Sequence, residues 1–146
     1  MRYVNDAFTG PSFIPGCAAD RARMDMAMGL YDSYGYAPMA RAVGYHRFPA
    51  FAGHLTRGDV DAALARLGAL FAKLMRIRGD SAFLAGEHPT LADFFAAPAC
   101  FYLELVEEHV PEEDAPGFGD WWHRVQGLDA YMLAMPDVAD WGEHVG

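Results

Sequence analysis

The chain has 146 residues, 53% of them apolar, and a formal net charge of −9. That length suits one domain with a sizeable core, and the apolar share excludes an intrinsically disordered chain. A surface this acidic repels phosphate backbones, so nucleic acid is excluded as an expected partner.

Residues 1–17 are irregular, with breakers at Gly10-Pro11 and Pro15-Gly16. Their opening, MRYVNDAFTG, lacks the basic-then-apolar layout of a secretion signal. No apolar run approaches the ~18 residues of a bilayer span, so a cytoplasmic protein with no membrane partner is expected. Asp20 stands where a helix can begin, and Met24, Met28 and Tyr31 follow at helical spacing. Pro38 should kink this helix near Tyr34-Gly35, since its ring displaces one backbone hydrogen bond. FPAFAGH, residues 48–54, reads as a loop.

Thr56 opens the next helix, and Asp59, three residues on, completes a capping box. Val60, Ala63, Leu64, Leu67, Leu70, Phe71, Leu74 and Ile77 then recur at three- and four-residue steps. That is a broad apolar stripe of helical period. Lys73, Arg76 and Arg78 occupy the last turns, where free carbonyls favour cations, and Gly79 reads as the stop.

GEHPTLADFFAAPACFY, residues 86–102, starts the third long helix. It sets one carboxylate, Asp93, among apolar neighbours. Thr90 lies three residues earlier, which is the T-x-x-D form of a capping box. In that arrangement the Asp93 carboxylate accepts from the Thr90 amide and the Thr90 hydroxyl from the Asp93 amide. The positive end of the helix dipole favours a negative charge there, the opposite of what a general acid needs. Thr90 and Asp93 are therefore assigned a structural role. Pro98 lies inside this helix and should kink it.

Residues 110–119, VPEEDAPGFG, form an acidic loop broken by proline and glycine, with Glu112, Glu113 and Asp114 expected in solvent. A fourth helical stretch follows, with Trp121, Trp122, Val125, Leu128 and Met132 as its apolar positions. Adjacent helix positions point about 100° apart, so one tryptophan is expected in the core and the other exposed or interfacial. The tail, PDVADWGEHVG, reads as a short turn of helix or an irregular end. Strand-like alternation is absent, so the fold class is all-α, a helical bundle around one core.

The six histidines (46, 54, 88, 109, 123 and 144) are scattered without HxxxH or HxxH spacing, so no metal site is expected. Cys17 and Cys100 lack CxxC spacing and read as reduced thiols used in packing.

FLAGEHPTLADFFAAPA resembles the segment of glutathione S-transferases in which a Ser/Thr-x-x-Asp box begins a buried helix of the C-terminal domain. RYVNDAFTGPSFIP, with DRARMDMAMGLYDSYGY after it, is similar to the end of the last thioredoxin-like helix, the interdomain linker and the first helix of the all-α domain. The resemblance thus implies a remnant of that helix and linker at 1–17 and the all-α C-terminal domain at 18–146. It runs from Arg2 to about Val138. The thioredoxin-like domain, which in the family activates the thiol and holds glutathione, has no counterpart in this sequence. No catalytic residue and no bound cofactor are therefore expected in this chain, with glutathione implied as the co-substrate of the joined protein.

By the same resemblance the first helix lines a pocket for a hydrophobic electrophile. Ser33, Tyr36 and Met39 share a face there at three-residue steps. The implied function is to bind the hydrophobic substrate, with conjugation to glutathione when the chain is joined to a thioredoxin-like domain. That domain, or another protein surface, is the expected partner beside a hydrophobic small molecule. An uncovered apolar face also predicts a homo-oligomer. Two alternatives stay open: a non-catalytic protein-interaction module that uses loop 110–119 and the tryptophan pair, and a carrier of hydrophobic ligands.

Overall fold

The computed structural model describes residues 1–136. In chain order the helices are α1 (Arg2–Ala7), α2 (Ala18–Tyr34), α3 (Tyr36–Arg47), α4 (Pro49–Ala52), α5 (Arg57–Arg78), α6 (Leu91–Glu104), α7 (Phe118–Gln126) and α8 (Asp129–Ala134). Among the described residues there is no strand, only an isolated bridge between Phe83 and Gly86. The fold is all-α, as its sequence requires. The tail beyond Pro136 lies outside the described residues, with Trp141 and His144 in it.

Helix α5 is the long inner strut. Its residues Val60, Ala63, Leu64, Leu67, Leu70, Phe71 and Leu74 are all buried, with Ile77 partly so. The Thr56 box forms at its start. The Asp59 carboxylate accepts from the Thr56 amide at 2.9 Å, and the Asp59 amide donates to the Thr56 hydroxyl oxygen at 3.3 Å. At its end Gly79 takes a φ of +59°, which residues with a side chain seldom adopt. Helix α3 packs along α5, and α2 lies against both α5 and α6.

The helix expected from Asp20 onward begins slightly earlier. Cys17 is the N-cap, and Asp20 sits in the first turn, where its carboxylate suits the dipole and pairs with Arg23 at 2.9 Å. The kink predicted at Tyr34-Gly35 falls there: α2 ends at Tyr34 and α3 begins at Tyr36, with Gly35 between them at φ −94° and ψ −43°. Pro38 has no N–H to give the Tyr34 carbonyl, and Gly35 bridges the gap by donating to the Tyr31 carbonyl at 2.7 Å. A side chain at Gly35 does not fit, because its Cβ would lie 2.5 Å from the Tyr31 ring.

Two expectations are corrected. FPAFAGH is not wholly loop, since Pro49–Ala52 forms α4 with Pro49 at the favoured first position. The fourth stretch is not one helix. It breaks after Gln126, where Gly127 and the extended Leu128 separate α7 from α8, and Met132 is exposed instead of apolar core.

Beyond α6 the chain reverses at Glu107, whose φ is +59°. The Glu108 amide donates to the Leu103 carbonyl at 2.9 Å, closing the helix in the Schellman manner. Glycine is the usual occupant of such a position. Glu107→Gly is expected to stabilise the fold by about 0.5–1 kcal/mol, the left-handed strain removed less the extra freedom of unfolded glycine. Urea denaturation should show a higher midpoint with an unchanged slope.

That reversal delivers Glu108, 7% exposed, to the junction of α3, α5 and α6. Its carboxylate accepts from both Nη atoms of Arg57, and from His46 Nε2 at 2.8 Å. The Arg57 guanidinium is the largest influence, holding the Glu108 carboxyl below the usual carboxylate range, with His46 adding to it against the effect of burial. A depressed folded pKa contributes stability above the unfolded value, and that contribution fades as pH falls through the folded one. Glu108→Gln is therefore expected to melt lower than the parent at neutral pH. The gap should close as pH falls below about 4. Melting curves between neutral and acid pH test this, and a gap that widens in acid would contradict it.

Candidate functional site

Asp93 is completely buried at the start of α6. Its Oδ2 accepts from the Thr90 amide and the Thr90 hydroxyl, both at 2.8 Å. Its Oδ1 accepts from the Leu84 amide at 2.9 Å and from Trp121 Nε1 at 2.8 Å. The capping box is in place, and two further donors come from outside it. A carboxylate whose lone pairs are all engaged by fixed donors has no capacity left for proton transfer to a ligand. Thr90 and Asp93 thus organise the loop before α6, and through Trp121 they tie α6 to α7. The Leu91 amide donates to the Phe13 carbonyl at 3.0 Å, and Phe13 packs edge-on against Phe94 at 4.8 Å. The segment before α2 is therefore fastened to the same corner.

Both tryptophans are buried, which corrects the expectation of one inside and one outside. Trp121 stacks with Phe71 and Phe118, and its neighbour Trp122 meets Tyr131 edge-on at 5.4 Å. Trp122 Nε1 donates to the Glu104 carboxylate at 2.5 Å. Helix α7 is enclosed by α5, α6 and α8, so it has two inner sides. Neither tryptophan is free to form a contact surface. Glu112, Glu113 and Asp114 are exposed, as expected.

The residues assigned to the ligand pocket are placed unevenly. Met39 is buried in the core, Tyr36 is 65% exposed and Ser33 is exposed. The break at Gly35 puts Ser33 on α2 and the other two on α3, so the three do not lie along one helix. Beside them Tyr31 is buried against Phe95, with ring centres 5.5 Å apart. Tyr34 is 63% exposed.

A broad concave surface lies elsewhere, on α6. Two apolar cavities of about 430 and 450 Å³ meet at Phe94. The first is walled by α1 and the segment after it, with Val4, Phe8 and Phe13. The second runs along α6 to α8, with Pro98, Phe101 and Tyr131. No residue of α1 is buried, and Tyr3 and Phe8 are 77% and 68% exposed. Each cavity lies within the roughly 300–1,000 Å³ usual for small-molecule sites. The sequence carried the signal for this surface. The segment 91–103 is apolar on every side, yet a helix with one open face buries only part of that circumference.

Chemistry-bearing groups are sparse. Cys100 is buried, and burial pushes its thiol well above the usual range, so it is an inert packing group. Cys17 is exposed at the cap of α2, against the expectation that it packs. Among the described residues no His, Cys, Asp and Glu gather in numbers able to hold a metal ion. No helix of the described residues is long and apolar enough to cross a membrane.

A glutathione S-transferase C-terminal domain profile matches residues 54–134. The chain belongs to that family. Its fold is similar to the crystal structure of glutathione transferase F2 from Populus trichocarpa, with a TM-score of 0.71 at 19% identity over 90% of this chain and 64% of that one. Glutathione transferase F7 of the same organism gives a TM-score of 0.73 at 18% identity, over 90% of this chain and 64% of that one. A glutathione S-transferase from Rhodospirillum rubrum F11 gives 0.72 at 19% identity, over 97% and 68%. The chain thus spans just under two thirds of the length of the Populus structures. At these identities the likeness speaks to the fold. No curated protein matches the chain.

Proposed function

We propose that these 146 residues form the hydrophobic-ligand-binding part of a glutathione S-transferase-like protein. A thioredoxin-like domain supplies glutathione and activates its thiol in that reading. Residues 1–17 are the remnant of the interdomain helix and linker, and 18–146 the all-α domain. The chain holds the electrophile near Ser33, Tyr36 and Met39 and contributes no catalytic residue of its own. Its setting is the cytoplasm, its role detoxification, and its assembly a homo-oligomer.

The observation that carries this reading is the open apolar surface centred on Phe94, set in a domain of this family. An apolar surface of that extent is characteristic of a ligand or partner site and costly to leave in water. The same surface suits the thioredoxin-like partner, and Tyr34 and Tyr36 are exposed aromatic residues as well.

Residues 1–146 are expected to bind a fluorescent hydrophobic dye without glutathione, and apolar electrophiles should displace it. Tyr36→Ala should weaken that binding several-fold, by loss of aromatic contact worth about 1 kcal/mol. With a standard aryl halide and glutathione this chain alone should show no rate above background. Absence of dye binding would remove the ligand reading and leave the protein-interaction module. A robust glutathione-dependent rate would overturn the assignment of all chemistry to the thioredoxin-like domain.

A further inference from the structure

After Asp61, helix α5 carries four cations and no acid. Of these, Arg66, Lys73 and Arg76 are exposed, and so are Ala62, Ala65 and Ala69. At 100° per residue these positions fall within one arc of about 100°, opposite the buried stripe of the same helix. The three cations span about 15 Å along the axis. None of them forms an ion pair with a described residue. The helix dipole favours cations in the last turn, which accounts for Arg76 and Arg78 but not for Arg66 or Lys73.

At the N-terminal end of this stripe a notch of about 140 Å³ opens between α3 and α5, with Ala37, Pro38, Arg41, Asp59, Ala62 and Arg66 among its walls. Asp59 is engaged elsewhere, accepting from the Thr56 amide at 2.9 Å and from the Thr56 hydroxyl at 2.7 Å. It lies 3.9 Å from Arg41, so it offsets that charge only in part. On the other flank Asp114 of the acidic loop rests against Gly68 and pairs with none of the three cations. The stripe is thus a bounded positive face on a chain whose formal net charge is −9.

We infer that the outer face of α5, with this notch, docks an acidic helix of a different protein. The alanines let a partner backbone approach closely, the cations meet its carboxylates, and the notch receives one acidic side chain between Arg41 and Arg66. A second copy of this chain packed α5 against α5 would set cations against cations. A nucleic acid would extend past the stripe and meet the acidic remainder of the surface. The face shares no residue with the two α6 cavities, so it can be occupied while they hold a ligand.

The probe is an alanine-based helical peptide with glutamates along one face, added at low salt to the full isotope-labelled chain and followed by nuclear magnetic resonance. Amide shifts should saturate and map to the exposed positions of α5 between Ala62 and Arg76, and to Arg41. Arg66→Glu combined with Lys73→Glu, both at exposed positions, should keep the parent's melting temperature. It should weaken the peptide roughly ten-fold or more, as should about 0.5 M salt. The same peptide with lysines in place of the glutamates should leave these amides unmoved. Absence of any saturable shift would overturn the inference. So would shifts shared equally with Arg21, Arg23 and Arg124, which mean charge attraction without a docking face. Shifts of the α5 amides with protein concentration alone would also overturn it, by giving the face to a second copy.

Discussion

Asp93→Ala is expected to abolish cooperative folding, or leave a protein that melts far below the parent. The substitution strips partners from the Leu84 and Thr90 amides, the Thr90 hydroxyl and the Trp121 indole N–H, all of them buried. Each buried donor left unsatisfied costs about 1–3 kcal/mol, so the loss is roughly 4 kcal/mol or more. A domain of this size has about 5–15 kcal/mol in total. Asp93→Asn should fall between the two. Its single carbonyl can serve two of the donors, and the Thr90 hydroxyl can turn to accept from the new amide. Urea denaturation with far-UV circular dichroism ranks the three proteins. A variant with the parent's melting temperature and no ligand binding would refute the structural assignment of Asp93.

Trp121→Ala is expected to cost about 3–5 kcal/mol, the range for truncating a large aromatic residue in a core. Trp121 is the largest fully buried side chain, and its ring touches Phe71 of α5 and Phe118 of its own helix. Its removal opens a cavity and also deprives Asp93 of a donor. Trp121→Phe separates the two effects, since it fills most of the space but cannot reach Oδ1. That variant should lose about 1–2 kcal/mol, and a double-mutant cycle with Asp93→Asn should show coupling. Additive losses across the cycle would mean the indole bond contributes nothing beyond packing.

These two residues mark the limit of what the sequence made legible. The box of Thr90 with Asp93 was readable because its partners lie three residues apart, and a helix start fixes that geometry locally. The bond from Trp121 to Asp93 spans 28 residues, and no local rule reaches that far. The placement of the residues proposed for the ligand pocket was not legible in the sequence for a related reason. A three-residue step puts Ser33, Tyr36 and Met39 on one face only if the helix is continuous. Gly35 and Pro38 break it, and the Tyr31 ring occupies the space a side chain at Gly35 would need. The tryptophan pair misled because adjacent positions diverge by about 100°, which exposes one of them only on a helix with a single inner side. Helix α7 is covered by three neighbours.

What the sequence determined by itself was the helical class, the two capping boxes, the buried stripe of α5 and the family, because each is written in residues close together along the chain. The tertiary structure decided which polar groups share a partner and which apolar surface stays open. Asp93 acquired two donors from other segments of the chain, and Glu108 was carried to Arg57 and His46 by a reversal at Glu107. Those outcomes depend on how helices are set against one another, and packing in three dimensions is free to join or separate residues whatever their spacing in the chain.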